Sequence, residues 1–170
     1  MTGEGVLEVS SGTHAPATIP LTMTVNGRSV SVDIEPQLTL LDLLRDRLTL
    51  KGAKRSCDLQ VCGACTVLLN GRAVSSCTLL AYEARDGEVQ TIEGLAEGDK
   101  LHPIQRAFID HAAFQCGFCT PGMIMTAKSL LEENSRPTEE QVKAYMNGNI
   151  CRCTGYKKIV EAIVAASGQG

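Results

Sequence analysis

Eight of the 170 residues are cysteines, and they divide along the chain into two groups of four. The first group is Cys57, Cys62, Cys65 and Cys77, and the second is Cys116, Cys119, Cys151 and Cys153. An even number suits a disulfide framework, but such frameworks belong to short secreted chains, and no Lys or Arg precedes Arg28 to begin a signal peptide. Clustered cysteines in a reducing compartment more often hold metal, so we expect a cytoplasmic protein with two metal sites.

The first group has the spacing C-x4-C-x2-C-x11-C. A C-x4-C-x2-C run with a distant fourth cysteine is the spacing of plant-type [2Fe–2S] ferredoxins. A structural zinc site usually takes its ligands from two short turns, whereas three of these cysteines lie on one loop. The spacing therefore favours an iron–sulfur cluster over zinc at this site.

The second group, C-x2-C-x31-C-x1-C, leaves both an iron–sulfur cluster and zinc open on spacing alone. Cys119 is followed by Thr120 and Cys153 by Thr154, and each threonine is expected to cap a helix. Two helix N-termini would then point at one site, where their unpaired N–H groups would stabilise thiolates and the added electron of a cluster. This arrangement favours a cluster, shielded from water inside a helical bundle.

Composition excludes several classes of function. Sixteen basic against nineteen acidic residues give a net charge of -3, without the basic excess that binding to nucleic acid requires. A hydrophobic content of 44% with 21% charged residues fits a folded globular chain. No apolar run approaches the roughly 18 residues that cross a bilayer. We therefore expect neither a nucleic-acid partner nor a membrane span.

The N-terminal half predicts a small mixed sheet of the β-grasp kind over residues 21–94, preceded by a surface arm over 1–20 that is rich in Ser, Thr, Gly, Pro and Ala. The predicted elements are a hairpin turning at Asn26-Gly27, a helix capped by Thr39 and ended before Gly52, a second hairpin turning at Asn70-Gly71, and a strand over 88–92. The loop from Lys51 to Cys65 carries three of the first four cysteines. These features predict a ferredoxin-type domain.

Residues 95–170 predict a helical domain. Apolar residues recur at helical spacing in four segments, which predicts a four-helix bundle joined to the first domain by a linker within 93–100. Thr138 and Gln141 form a capping-box pattern at the start of the third helix, and Gly148 is expected to end it. The chain is therefore expected to combine an α+β domain and a helical domain, each with one metal site.

Three stretches carry a resemblance to a known family: Cys57-Asp58-Leu59-Gln60-Val61-Cys62-Gly63-Ala64-Cys65, Gln115-Cys116-Gly117-Phe118-Cys119-Thr120-Pro121-Gly122, and Asn149-Ile150-Cys151-Arg152-Cys153-Thr154-Gly155-Tyr156. With these motifs the chain resembles, over about residues 21–166, the small iron–sulfur subunit of the molybdenum hydroxylases, the xanthine oxidase family. The resemblance implies a plant-ferredoxin-like domain and a helical domain of approximate two-fold symmetry, each with a [2Fe–2S] cluster. Gln60 departs from the family, many members of which have Gly or Ser there, so a local adjustment of the backbone is implied.

The resemblance also implies partners and a reaction. In that family a large subunit holds molybdenum on a molybdopterin, usually the cytosine dinucleotide form in bacteria, and a further subunit usually holds FAD. The reaction class is hydroxylation of a carbon centre with oxygen from water, or oxidation of an aldehyde or carbon monoxide. General similarity leans toward N-heteroaromatic substrates such as quinoline. Electrons would leave molybdenum one at a time through the second cluster, then the first, to flavin or another acceptor.

Gln115 is the one residue besides the cysteines with an expected role, because in the resembling family the residue before this cysteine pair hydrogen-bonds the pterin. Without the family, an exposed amide at a helix end would be the ordinary interpretation. The sequence has no G-x-G-x-x-G fingerprint, P-loop or Ser/His/Asp set. We therefore expect no catalytic residue in this chain, whose own role would be electron transfer.

The remaining polar and sulfur-containing residues of interest receive mostly structural interpretations. His102 and His111 are assigned to a helix start and a helix face, since eight cysteines already complete two four-thiolate sites. Met123, Met125 and Met146 are assigned to the core, Lys54 and Arg55 to solvent, and Arg152 either to a charged partner or to solvent. Two other functions stay open: a free-standing two-cluster ferredoxin, which a second cluster domain disfavours, and a zinc-stabilised interaction module, which the first spacing disfavours.

Overall fold

The structure, a computed structural model, describes residues 17–168, so most of the predicted N-terminal arm lies outside the described residues. Its five strands are β1 (Ile19–Val25), β2 (Arg28–Ile34), β3 (Thr66–Leu69), β4 (Arg72–Ser75) and β5 (Glu88–Gln90). They form one mixed sheet in the order β2-β1-β5-β3-β4, in which only the β1–β5 pair is parallel. Ile19 pairs with Ile34, so the sheet begins two residues inside the predicted arm.

Both predicted hairpins are confirmed. Asn26 and Gly27 have φ of +50° and +73°, and Asn70 and Gly71 have φ of +51° and +80°. Two successive left-handed residues make a type I′ turn, whose twist matches that of the strands it joins. The two Asn-Gly turns therefore set the register of β1 with β2 and of β3 with β4.

The helix between the hairpins is shorter than predicted. Thr39 caps it as expected, accepting a hydrogen bond of 3.1 Å from the Asp42 amide. The α-helical part, α1, covers only Leu40–Asp42 and continues as a π-helical turn over Leu43–Arg47. It ends at Leu48, because Thr49 adopts a left-handed φ of +58°, and not before Gly52 as predicted. The wider turn still buries the leucines that hold α1 on the sheet: Leu40, Leu41, Leu43 and Leu44.

Strand β5 also ends early, at Gln90 and not at residue 92. The Asn26 side chain takes the place of a strand neighbour here, accepting from the Thr91 amide at 2.8 Å and donating to the Thr91 hydroxyl at 2.9 Å. A 3-10 turn over Ile92–Gly94 follows. A side chain from the first hairpin therefore stops the last strand, which strand propensity could not indicate.

The four predicted helices are all present: α2 (Pro103–Asp110), α3 (Thr120–Glu133), α4 (Glu139–Tyr145) and α5 (Lys157–Ala166). Helices α2 and α4 each contact both α3 and α5, and all four contribute to one hydrophobic core. The capping box of Thr138 and Gln141 is confirmed, with bonds of 3.3 Å and 2.8 Å, and the chain leaves the third of these helices through a turn over Met146–Gly148. Within the described residues, no helix is both long enough and apolar enough to span a membrane.

Strand β3 joins the two parts of the molecule. Its successive residues Val67 and Leu68 are both almost fully buried, but Val67 belongs to the core between the sheet and α1, and Leu68 to the core of the helices. Side chains of a strand alternate between its two faces, so both faces of β3 are covered. Helix α3 lies on the second face, and this packing brings the two cysteine groups together.

Candidate metal centres

The first cysteine group lies on a loop whose backbone amides turn toward sulfur. Asp58 and Gln60 have left-handed φ of +53° and +58°. Left-handed residues that alternate with ordinary ones turn successive N–H groups to one side, where they bind an anion. The Cys57 sulfur accepts hydrogen bonds from three backbone amides, those of Leu59, Val61 and Cys62, and the Leu59 bond measures 3.4 Å. These hydrogen bonds stabilise the thiolate and lower the pKa of Cys57 to about 6.

Side chains fasten this loop to its surroundings. Arg55 forms ion pairs with Asp42 of α1 and with Asp58 of the loop, the latter at 2.9 Å. Gln60 Oε1 accepts a hydrogen bond of 3.1 Å from the hydroxyl of Thr78, which directly follows the fourth ligand. Arg55 is therefore an anchoring residue, and the prediction that it is simply solvated was wrong. The departure at Gln60 falls on a left-handed position, where glycine is the least strained residue.

The other two cysteines of the first group are buried. Cys65 is 2% exposed and Cys77 is 7% exposed, whereas Cys57 and Cys62 are partly exposed. Burial raises the pKa of Cys65 to about 11. The Ser76 hydroxyl donates a hydrogen bond of 2.6 Å to the Cys65 carbonyl and ties the two buried positions together. The first site therefore has one end in the sheet core and one end near the surface.

The second group is assembled from two chain segments, and side chains position its third cysteine. Thr154 donates to Cys151 Sγ through its hydroxyl at 3.0 Å and its amide at 3.4 Å. The Tyr156 hydroxyl accepts from the Cys151 amide at 2.9 Å. Burial opposes ionisation of Cys151, but hydrogen bonds from Thr154 and the Cys153 amide outweigh it and lower the pKa of the thiol. Burial raises the pKa of Cys119 to about 12.

The predicted threonine caps are absent. Helix α3 begins at Thr120, whose hydroxyl caps nothing and has no hydrogen-bond partner within residues 17–168. Helix α5 begins only at Lys157, because Tyr156 has a left-handed φ of +68°. The Thr154 hydroxyl, predicted to cap this helix, accepts from the Tyr156 amide at 3.3 Å, before the helix begins, and donates to Cys151 Sγ. The prediction was wrong because the left-handed Tyr156 lies between Thr154 and the helix, so α5 starts too late for Thr154 to cap its first turn.

Residues 17–168 do not shield the second site, contrary to expectation. Cys116 and Cys153 are exposed, because both lie in the turns that precede α3 and α5 and not between helices. The same segments carry exposed apolar side chains, namely Phe114, Phe118 and Ile150, which are 41%, 46% and 48% exposed. The second site therefore opens onto an apolar surface.

In each group the thiols face each other in pairs. The pairs within hydrogen-bonding reach are Cys57 with Cys62, Cys65 with Cys77, Cys116 with Cys153, and Cys119 with Cys151. The 3.6 Å between the sulfurs of Cys116 and Cys153 is close to the separation of about 3.7 Å expected for two thiolates on one tetrahedral metal.

Such pairs fit a two-iron cluster, because each iron of a [2Fe–2S] cluster takes two protein thiolates. Two pairs in each group supply one cluster per group. No three Cys, His, Asp or Glu side chains of residues 17–168 surround a single ion position. The thiolate donors and their amide and hydroxyl neighbours are suited to an anionic cluster of this kind.

The two ligand loops touch each other directly. The Ile150 amide donates to the Cys62 carbonyl at 2.9 Å, and the Asn149 side-chain amide donates to the Gly63 carbonyl at 3.2 Å. Gly122, in the first turn of α3, lies so close to the Gly63 carbonyl that a Cβ atom would collide with it. The two sites are therefore parts of one interlocked structure.

Several other predicted residues can now be placed. Gln115 is exposed next to Cys116, on the apolar surface of the second site. Arg152 is exposed and has no ion pair within the described residues. His102 accepts from the Ile104 amide at 3.3 Å and so caps α2, as predicted. The three methionines assigned to the core, Met123, Met125 and Met146, are all buried.

Two structurally important residues were not singled out from the sequence. Asn149 and Tyr156 both belong to the third motif, and each makes a hydrogen bond that no local pattern indicates, across 86 positions to Gly63 and across 5 positions to Cys151. The signal for Asn149 is the burial of its polar side chain, which is a property of the structure and not of the sequence. Lys54, assigned to solvent, donates from Nζ to the Lys51 carbonyl at 2.6 Å.

Comparisons with family models place a cluster domain at each site. Residues 23–96 match the 2Fe-2S iron–sulfur cluster binding domain, and residues 91–164 match the [2Fe-2S] binding domain. The ranges contain the first and the second cysteine group respectively. The two domains are therefore [2Fe–2S]-binding domains.

Curated relatives and solved structures agree. The chain is 43% identical over 176 residues to the iron–sulfur-binding subunit of aldehyde oxidoreductase from Escherichia coli (strain K12), covering 95% of this chain and 77% of that one. It is 46% identical to the small FeS subunit of nicotinate dehydrogenase from Eubacterium barkeri, covering 85% and 92%. The crystal structure of quinoline 2-oxidoreductase from Pseudomonas putida 86 superposes with a TM-score of 0.85 at 43% identity, covering 88% and 94%.

Proposed function

The chain belongs to the [2Fe–2S] iron–sulfur subunits of the molybdenum hydroxylases, and we propose that it carries electrons from a molybdopterin site on a large subunit to FAD or another acceptor. Hydroxylation with oxygen from water releases two electrons and two protons for each C–H converted to C–OH. A [2Fe–2S] cluster accepts one electron at a time, so two clusters together can take both. The eight cysteines are the proposed ligands, four for each cluster.

The observation that carries this proposal is the direct contact between the two cysteine sites. Two pairs of thiols in each domain would hold one cluster, which makes two clusters in all. The Cys62–Ile150 and Gly63–Asn149 hydrogen bonds hold the two cysteine loops together. A carrier with one cluster has no need of such an interlock. A fixed pair of neighbouring clusters is what a relay between two distant redox centres requires.

The exposed face of the second site is the proposed contact with the large subunit. Cys116 and Cys153 would lie near water in the isolated chain, and a partner that covers Phe114, Phe118 and Ile150 would also cover the cluster. Depletion of charge and enrichment of aromatic residues are typical of interface centres. We place Gln115, on the same face, in contact with the pterin.

The rim of the first site faces the next acceptor in this proposal. Leu59 and Val61 are 73% and 58% exposed on the loop that carries Cys57 and Cys62. We assign this rim to a flavin-containing subunit or another acceptor protein. Electrons then pass from the large subunit to the second cluster, from there to the first, and then out.

The proposed substrate class is an N-heteroaromatic ring such as quinoline. Relatives named for nicotinate, nicotine and quinoline support it, while those named for aldehyde oxidoreductase support aldehyde oxidation as the second candidate. In this proposal the large subunit, and not this chain, chooses between them. The cytosine dinucleotide form of molybdopterin on the large subunit and a cytoplasmic location complete the proposal.

Purification of the native complex under mild conditions tests the proposed function. We expect the chain to elute with a large molybdenum-containing subunit, about four iron and four acid-labile sulfide per chain, and the red-brown colour of clusters. Elution alone with both clusters would support a free-standing ferredoxin and overturn the subunit assignment. Two zinc ions per chain with no sulfide would overturn the cluster assignment as well.

The order of the clusters has its own test in the partly reduced complex. Paramagnetic molybdenum splits the signal of the nearer cluster, and we expect that split signal to be the one lost in Cys119→Ser. Loss of the split signal in Cys62→Ser would reverse the order and assign the ferredoxin-type domain to the molybdenum subunit.

A further inference from the structure

One buried hydroxyl in the second domain lacks a hydrogen-bond partner. Thr120 Oγ1 is the one buried side-chain oxygen or nitrogen within residues 17–168 for which no partner exists. A buried hydroxyl without a partner carries a free-energy penalty, so nearly all such groups in native proteins are satisfied. The acceptor for Thr120 is therefore something that residues 17–168 do not supply.

The position of Thr120 narrows the choice of acceptor. It is the first residue of α3 and directly follows Cys119. In the second group, only Cys151 is more buried than Cys119. Pro121 has no N–H, and the amides of Thr120 and Met123 already donate to the Gly117 and Cys119 carbonyls at 3.2 Å and 3.0 Å. This end of α3 therefore favours an anion through the helix dipole, and the Thr120 hydroxyl is the donor that is left over. A hydroxyl beside a ligand and at such a helix end is suited to donate to cluster sulfur.

Thr154 provides a precedent within the same site. It directly follows the ligand Cys153, as Thr120 follows Cys119, and its hydroxyl donates to Cys151 Sγ at 3.0 Å. One of the two Cys-Thr pairs therefore already uses its hydroxyl on sulfur. The Thr120 hydroxyl is buried, and no sulfur of residues 17–168 lies within its hydrogen-bonding reach.

We propose that the Thr120 hydroxyl donates a hydrogen bond to a sulfur of the second [2Fe–2S] cluster and thereby raises its reduction potential. This inference rests on the cluster assigned to the second site under the proposed function. Reduction adds a negative charge to the cluster, and a hydrogen bond to sulfur stabilises that charge more in the reduced than in the oxidised state. Thr120 thus helps the second cluster to accept the electron that leaves molybdenum.

The test is a redox titration of the complex with both clusters present, followed through the paramagnetic signal of each reduced cluster. In Thr120→Val, which keeps the shape and removes the hydroxyl, we expect the reduced-to-oxidised ratio of the second cluster at a fixed potential to fall about tenfold, because hydrogen bonds to charged groups are among the stronger ones. Thr120→Ser should restore the wild-type ratio. The first cluster should titrate unchanged in both variants.

Thr126→Val is the matched control, because it makes the same substitution at a buried threonine of α3 that does not adjoin a cysteine. We expect it to leave both titrations unchanged. An equal shift in Thr126→Val and Thr120→Val, or no shift in Thr120→Val, would overturn the role of Thr120. If Thr120→Val does not load its cluster, Thr120→Ala removes the same hydroxyl with less bulk, and the same two outcomes decide.

Iron and sulfide analysis separates this inference from the proposed function. Wild-type protein with a loaded second site and an unshifted Thr120→Val titration overturns only the hydrogen bond. Wild-type protein without iron and sulfide at the second site overturns the cluster, and the inference with it.

Discussion

The two cysteine sites hold sulfur in different ways. In the first, three cysteines share a nine-residue loop, and left-handed residues such as Asp58 and Gln60 turn backbone amides toward Cys57. In the second, the cysteines come from segments 31 residues apart, and the side chains of Thr154 and Tyr156 orient Cys151. A site made by one loop is encoded in its spacing, whereas a site made by two segments depends on how the helices pack.

The sites also differ in what the chain leaves open. In the first site, Cys57 and Cys62 are only partly exposed. In the second site, Cys116 and Cys153 are exposed. The pKa directions do not follow this division: in each site hydrogen bonds lower the pKa of one thiol, Cys57 or Cys151, and burial raises that of another, Cys65 or Cys119. Within residues 17–168 the second site is thus the more open of the two.

The largest expected effect separates the two sites completely. Cys62→Ser should abolish one [2Fe–2S] paramagnetic signal of the reduced protein and leave the other, and Cys119→Ser should do the reverse, because the ligand sets do not overlap. Each variant should retain about two iron and two sulfide per chain. If either substitution removed both signals from protein that is shown to be folded, the sites would not be independent.

The next effect tests the interlock between the sites. Gly63→Ala places a methyl group against the Asn149 side chain and within 2.6 Å of the Gly148 carbonyl, on a left-handed backbone with φ of +68°. We expect a loss of about 2–4 kcal/mol in the free energy of unfolding, since strain and overpacking add. Chemical denaturation of the cluster-loaded protein, followed by circular dichroism, would measure it.

Gly71→Ala is the control for this substitution. Gly71 has a similar φ of +80°, but nothing lies within 4 Å of the position of an added Cβ. It should cost only about 1 kcal/mol, the strain of the left-handed backbone alone. Equal costs at the two positions would mean that the contact between the ligand loops contributes nothing to stability.

Sequence and structure can now be compared for particular residues. The Asn-Gly turns, the Thr39 cap and the first ligand loop were all predicted, because each depends on residues within a short segment. The early end of β5, the delayed start of α5 and the exposure of Cys116 were not, because each depends on a distant partner or on three-dimensional packing. The same holds for Asn149, whose role is visible only when Gly63 lies beside it.

The boundary between residues 94 and 95 stays a prediction, as do the individual ligand assignments and the pterin contact of Gln115. Leu95 packs in the core of the helices, and Leu68 of the sheet does so as well. The sheet and the helices share a buried surface along β3. A boundary drawn at one position of the sequence therefore does not separate the two hydrophobic cores. Spacing of apolar residues indicates which segments are helical but not which strand they cover.

A smaller effect is expected at Gln115, which lies beside the second site and has no counterpart in the first. Its side chain is exposed on the face of the second site, so Gln115→Ala should leave folding and both clusters intact. If it contacts the pterin, loss of one hydrogen bond should slow reduction of the second cluster by substrate, or weaken cofactor retention, by about fivefold. Stopped-flow reduction and molybdenum content would measure these two quantities.

Asn147→Ala is a suitable comparison for Gln115→Ala, because Asn147 is also an exposed amide but lies in the turn after α4. It should change neither quantity. Unchanged kinetics and molybdenum content in Gln115→Ala would return this residue to the ordinary interpretation of an exposed amide.

The smallest expected effect is a pH dependence confined to the helical region. Burial, together with the positive charge of Lys128, lowers the pKa of His102 in the folded chain below its usual value near 6.5. A histidine whose folded pKa is depressed contributes stability that is present above its unfolded pKa and is lost as the pH falls through the folded value. Protonation also removes the acceptor that caps α2 at the Ile104 amide. The free energy of unfolding should therefore decline from about pH 6.5 downward.

Replacement of His102 by Asn keeps a cap acceptor and removes the titration, so His102→Asn should flatten this acid limb while leaving stability near neutral pH almost unchanged. The same substitution at the other end of α2, His111→Asn, should leave the limb in place. Hydrogen exchange at mildly acid pH would locate the loss, which we expect at the amides of α2 and not at those of the sheet. An acid limb that survives in His102→Asn would assign the pH dependence to groups other than His102.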